Sequence, residues 1–136
     1  MSEKSITSIE IKNTSCGLCS ADEIISETLR IYKTGKIKHL QYNGLSNKHV
    51  KEYKYKVDAS AMDAFFNILV TKIKIQTWND DYTVEVCDGW AWECKIRHSD
   101  NTVKKVVGTV EPPPRGNQLK NQIYKLAAFE VKPWIL

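Results

Sequence analysis

Cysteines are the side chains whose type and spacing come closest to a chemical motif. Cys16 and Cys19 enclose two residues, the gap found in zinc knuckles and thiol oxidoreductases, whereas six residues separate Cys87 from Cys94. A structural zinc site usually takes four ligands from two tightly spaced pairs, and a redox CxxC begins a helix among alternating strands and helices. The sequence provides neither context. A thiol or zinc protein using Cys16 and Cys19 is therefore an alternative, and the preferred interpretation includes no metal and no cofactor.

General acid and base chemistry has candidate residues but no recognisable motif. The candidates are His39, His49 and His98, with Asp80, Asp81, Asp88 and Glu93 as carboxylates. A single histidine in a lysine-rich strand is typically a solvated side chain and not a base. The sequence has no G-x-S-x-G elbow and no glycine-rich phosphate loop. We therefore predict no catalytic residues and favour a protein that is not an enzyme.

Basic residues are concentrated in the first half of the chain. The whole sequence has 20 Lys and Arg against 16 Asp and Glu, a formal charge of +4. Within residues 30–56, Glu52 is the one acidic residue among many basic ones. Such an excess either attracts an anionic surface or keeps exposed strands from pairing at their edges. The lysines that we take as binding candidates are Lys36, Lys38, Lys54 and Lys56.

Tyrosines alternate with these lysines, which defines a second alternative. Sheets that bind nucleic acid combine aromatic rings for base stacking with cations for the phosphates, and residues 30–56 contain that mixture. Adjacent residues of a strand, however, point to opposite faces. If Tyr53 and Tyr55 face the helices, only the lysines remain outside and stacking is lost.

Hydrophobic periodicity divides the chain into strands and two helices. The strands are predicted over residues 5–13, 25–32, 37–42, 50–57, 82–87, 92–97 and 102–110, and the helices over about 60–74 and from Asn117 onward. The apolar residues of the first helix have the spacing of a core stripe. This order predicts an α+β fold, an antiparallel sheet of six or seven strands with two amphipathic helices on one face. We expect two loosely similar halves of three strands and a helix within one domain, residues 1–136.

Residues 82–97 predict a hairpin whose register follows from its side chains. A three-residue turn, Asp88-Gly89-Trp90, places Tyr82 opposite Ile96, Val84 opposite Cys94 and Val86 opposite Trp92, so that the face is apolar. A two-residue turn would bring Glu93 into the apolar row. The favoured register puts Cys87 and Cys94 on opposite faces. It also leaves Trp90 at the tip, either covered by a loop or available as a contact anchor.

A pattern of spaced residues lies between residues 82 and 128: Val86 to Trp92, the turn at Asp100-Asn101, and Lys104, Gly108 and Pro112 to Pro114 ahead of an amphipathic helix. This segment resembles a group of small uncharacterised bacterial proteins. The resemblance implies a similar fold and no particular activity.

These observations favour a non-enzymatic protein-binding module of a bacterial cell, comparable to an immunity protein or an inhibitor. The binding candidates are Trp90 and the four lysines named above. The sequence has no apolar run that predicts a signal peptide or a membrane span, so we expect a cytoplasmic protein. The apolar end of the chain, residues 131–136, is expected to pack onto the fold or to dock on a second copy. We expect a monomer or a weak homodimer with an unidentified protein partner.

Overall fold

The computed structural model describes residues 5–15, 24–43, 49–84 and 90–135. Within these residues seven strands form one sheet in the spatial order β4-β3-β2-β1-β6-β7-β5. Every neighbouring pair is antiparallel except β5 and β7, which are parallel. The strands are β1 Ile6–Ser15, β2 Ile24–Tyr32, β3 Lys36–Asn43, β4 His49–Lys56, β5 Asp81–Tyr82, β6 Trp90–His98 and β7 Val103–Thr109.

Two helices cover one face of this sheet, which confirms the predicted α+β class. Helix α1, Ala59–Ile68, continues into a π-helical turn, Leu69–Ile73, and helix α2 is Gly116–Leu126. The stripe of α1 is core, as its spacing predicts, because Met62, Phe65 and Phe66 are buried. The first half contributes four strands and α1, which matches the four strands predicted before residue 60 but not the expectation of three strands in each half. The pairing of β1 with β6 joins the two halves at the centre of the sheet.

The helix-covered face, called the inner face below, is built from isoleucines at alternate positions. Ile37, Ile31, Ile9 and Ile96 lie side by side on β3, β2, β1 and β6, and all four are buried. Each such side chain contributes roughly 1.5–3 kcal/mol by leaving water. The turn between β2 and β3 is closed by Gly35, whose φ of +109° favours glycine. The predicted hairpin over these two strands is confirmed.

The predicted hairpin over residues 82–97 is wrong. Strand β6 has a neighbour on each edge, with Cys94 opposite Ile11 of β1 and opposite Val106 of β7. No edge of β6 is left for Tyr82, which pairs with Gly108 of β7 instead. The apolar face of β6 was correctly predicted, because periodicity identifies a face, whereas the neighbouring strand depends on which edges remain free.

Trp90 is therefore a paired strand residue and not the tip of a hairpin. It begins β6 opposite Ser15, and its carbonyl accepts a hydrogen bond from the Val110 amide at 2.9 Å. The predicted turn residues Asp88 and Gly89 lie outside the described residues, as do Cys87 and Val86.

Candidate functional site

The face of the sheet opposite the helices, called the outer face, carries a row of long charged side chains. In spatial order from β4 to β7 the row contains Lys54, Lys38, Arg30, Glu10, Lys95 and Lys105. Two positions along the same strands, Lys36 lies directly opposite Lys56. The register thus brings together all four lysines that the sequence predicts as binding candidates. Like charges directly opposite each other destabilise a sheet.

Two acids of the outer face, Glu10 and Glu93, lie on β1 and β6, whereas Glu52 lies on β4 opposite Leu40, on the same face as Lys54. Glu10 accepts from Arg30 Nε at 3.0 Å, and Glu93 lies 3.4 Å from Lys105 Nζ and 3.8 Å from Lys95 Nζ. Among the residues that the structure describes, no carboxylate comes within ion-pair distance of the four candidate lysines. Among the described residues, the ion pairs of the outer face therefore lie on β1, β2, β6 and β7, and the four candidate lysines form none.

Trp90 does not share this face. Alternation along β6 places it with Trp92, on the inner-face side, at the end of the strand where its side chain is 46% exposed. The structure therefore separates the predicted aromatic anchor from the predicted lysines. One flat contact cannot include both.

His39 is buried, so the expectation of a solvated histidine in a lysine-rich strand is wrong for this residue. Its Nε2 lies 2.6 Å from Oε1 of Glu27, which is also buried. The imidazole stacks on the Tyr53 ring, with centroids 5.4 Å apart. Strand alternation explains the position, because His39 is in phase with Ile37 and Glu27 with Leu29 on the inner face.

The Glu27 carboxylate also holds the C-terminal segment, residues 131–135. It accepts hydrogen bonds from Gln41 Nε2 at 3.3 Å and from the Trp134 amide at 3.2 Å. Asn13 Nδ2 donates to the Trp134 carbonyl at 2.8 Å. The Tyr124 hydroxyl donates to the Pro133 carbonyl at 2.9 Å. Residues 133–135 therefore pack onto the fold, which is one of the two arrangements that the sequence predicts for this segment.

This buried polar cluster anchors the chain and is covered by the segment that it binds. Burial and the negative charge of Glu27 both raise the pKa of Tyr124, in that order of size. Glu27, Gln41 and Asn13 are not among the residues that the sequence predicts for a site. The sequence does carry a sign of these residues. Each of the three is a polar side chain at an inner-face position of its strand, and the three strands are adjacent in the sheet.

The remaining acid and base candidates are dispersed. His98 Nδ1 lies 3.2 Å from the Thr102 carbonyl oxygen, and Asp80 pairs with Lys104 at 3.2 Å. Asp81 accepts from the Thr83 hydroxyl and amide, which lowers the pKa of the Asp81 carboxyl. Asp88 and the His49 side chain lie outside the described residues.

Cys94 is an inert thiol. Burial, followed by the charges of Glu10 and Glu93, raises its pKa to about 12. Cys16 and Cys19 lie outside the described residues, so the thiol or zinc alternative stays a prediction. In the described part of the chain no three histidine, cysteine or acidic side chains gather in a group that could hold a metal ion.

Comparison with known protein families and curated proteins identifies no relative of this chain. No protein-family model matches the chain, and no curated protein matches it. The resemblance to small bacterial proteins stays a prediction. None of the described helices is long and apolar enough to cross a membrane.

Proposed function

We propose that this protein is a non-enzymatic binding module of the bacterial cytoplasm that occupies an acidic surface of another protein, as immunity proteins and inhibitors do. The contact surface is the outer face of β2, β3 and β4. The observation that carries the proposal is the direct pairing of Lys36 with Lys56 and of Lys38 with Lys54.

Repulsion between the paired lysines lowers the stability of the protein on its own. A bound acidic partner would remove this repulsion. A like-charge pair directly across two strands is unfavourable by a few tenths of a kcal/mol to about 1 kcal/mol. Carboxylates of an acidic partner would turn this repulsion into attraction. They would also speed the encounter, because complementary fields steer association and lose strength as salt is added.

A protein partner is favoured over nucleic acid by the positions of the tyrosines of β4. Tyr53 stacks on His39, and the Tyr55 ring contacts Phe129 with centroids 5.0 Å apart. The Tyr55 hydroxyl also accepts from the Glu130 amide at 3.0 Å. Both rings belong to the inner face, so the outer face of β4 has cations without the aromatic platform on which bases stack, while Tyr32 and Tyr42 lie on the outer face of β2 and β3.

The test compares three immobilised proteins in the native cell extract: the wild type, Lys38→Glu/Lys54→Glu, and the control Lys72→Glu/Lys125→Glu. The control makes the same change in charge at exposed helix positions. We expect the wild type and the control to retain an acidic protein that the outer-face variant loses. That protein, once purified, should bind in solution with the same pattern and a steep dependence on salt.

A labelled single-stranded oligonucleotide is the second probe. If the wild type binds the oligonucleotide, the outer-face variant does not, and no protein is retained, the nucleic-acid alternative replaces the proposal. Equal retention of the acidic protein by the wild type and both variants, or by none of the three, would also reject the proposal.

A further inference from the structure

A cleft of about 340 Å³ opens in the outer face above β1, between β2 and β6. Its lining is polar apart from Ile9 and consists of Ser8, Ile9, Glu10, Arg30, Tyr32 and Arg97. A cavity of this size accommodates a small ligand or one side chain of a bound protein. Its polar walls exclude an apolar occupant.

The cleft lies beside an irregularity of β1. The register of β1 against β6 shifts between Ile6 and Ser8, which is the signature of a β-bulge. Ser8 is opposite Tyr32 on one side and Arg97 on the other. Bulges bend a strand and redirect its side chains, and they are frequent next to functional sites. Strands β2 and β6 lie on either side of β1 and are therefore roughly 10 Å apart, twice the spacing between neighbouring strands.

Two guanidinium groups border the cleft, and one carboxylate opposes them. Glu10 engages Nε of Arg30 at 3.0 Å, and the terminal amino groups of Arg30 make no hydrogen bond to the described residues. Arg97 is exposed, and within the described ranges it has no acidic partner. The three side chains together leave one positive charge. A guanidinium presents paired donors that match the two oxygens of a carboxylate.

We propose that this cleft binds one carboxylate side chain, held between Arg30 and Arg97, and that the acidic partner supplies it. The identity of the donor rests on the proposed function, whereas the chemistry of the cleft does not. The single excess charge matches a monoanionic carboxylate, and Glu10 disfavours a dianionic phosphate in the same space.

The probes are a short peptide with a central glutamate, its glutamine counterpart and inorganic phosphate, each titrated at constant ionic strength. Binding is followed by NMR through the side-chain Nε–H signals of Arg30 and Arg97. We expect saturable shifts with the glutamate peptide and at least fivefold weaker binding by Arg97→Gln. The control Lys95→Gln removes a charge from the same strand and face, outside the cleft, and should bind within a factor of two of the wild type.

Tighter binding of phosphate than of the glutamate peptide would overturn the carboxylate assignment. Equal binding of the glutamine peptide, or of Arg97→Gln, would overturn the cleft itself. Thermal unfolding of Arg97→Gln shows whether its fold is retained. The two proposals can fail independently. If Arg97→Gln still captures the partner, the cleft is not the partner's contact. If the glutamate peptide binds but no partner is captured, the proposed function is rejected.

Discussion

His39 and Glu27 meet diagonally across β2 and β3, with Nε2 of the imidazole 2.6 Å from Oε1 of the carboxylate. In register, His39 is opposite Leu29, so Glu27 reaches it from the next inner-face position along β2. The same carboxylate accepts the amide of Trp134 at 3.2 Å. One buried acid therefore connects two strands to the C-terminal segment, far along the chain from both.

Replacing Glu27 with alanine should strongly destabilise the fold. The substitution leaves the buried His39 ring and Gln41 amide and the part-buried Trp134 amide without their acceptor, and each buried polar group left unpaired costs about 1–3 kcal/mol. Equilibrium unfolding in denaturant measures the loss. Asp63→Ala, at an exposed position of α1, is the control and should change stability by less than about 0.5 kcal/mol. Equal effects of the two substitutions would show that the cluster is not an anchor.

Replacing Lys38 with glutamate should stabilise the protein while it removes partner binding. Lys38 lies between Arg30 and Lys54, and a carboxylate at this position would attract both. We expect a gain of about 0.5–1 kcal/mol in the free energy of unfolding at low salt. The gain should disappear at high salt, where exposed charges are screened. A variant less stable than the wild type at low salt would contradict the repulsion on which the proposed function rests.

Gly108→Ala should destabilise the junction of β6 and β7. A Cβ at this position would overlap the Trp92 indole, whose Nε1 donates to the Glu111 carbonyl at 2.8 Å and whose ring stacks on Tyr82. Overpacking of this kind costs about 1–3 kcal/mol. Trp92→Phe makes room, so the double variant should lose less stability than the two single variants together. Strict additivity in the unfolding free energies would argue against the overlap.

The raised pKa of Cys94 predicts a loss of stability in alkali. The folded thiol has a pKa of about 12 against an ordinary 9, so its stabilising contribution is complete below pH 9 and is lost as the pH rises from 9 toward 12. The unfolding free energy of Cys94→Ala should therefore fall less steeply over this range than that of the wild type. Iodoacetamide mapping supplies a second measurement, in which the native Cys94 should remain unmodified until denaturant is added. Parallel pH slopes would show that the thiol is not protected.

Trp90→Ala distinguishes between the two binding surfaces that the sequence suggests, the lysine-bearing outer face and the region around Trp90. Because Trp90 lies on the inner-face side, binding through the outer face predicts that the purified partner's affinity stays within about 0.5 kcal/mol of the wild type. The anchor hypothesis predicts a loss above about 1 kcal/mol. If Trp90→Ala loses partner binding and Lys38→Glu/Lys54→Glu retains it, the interface lies at the end of the sheet that carries Trp90.

The burial of His39 shows why part of the site was beyond sequence reasoning. Its neighbours in the chain, Lys38 and Leu40, place it in a basic strand, where solvation is the usual outcome. Its partner Glu27 is on another strand, and the amide of Trp134 comes from the end of the chain. A local pattern cannot report a contact among three distant segments.

The residues by themselves determined most of the strands, both helices and which side chains share a face, because the periods of 2 and 3.6 are local properties of the backbone. The strand predicted over residues 82–87 is the exception, since β5 ends at Tyr82. This was enough to place Lys36, Lys38, Lys54 and Lys56 on one side of β3 and β4. Only the tertiary structure decided the neighbours of β6 and the acceptor of His39. An edge stays available or becomes occupied according to the packing of the whole sheet, and a buried polar group is tolerated only where the assembled fold supplies its partner.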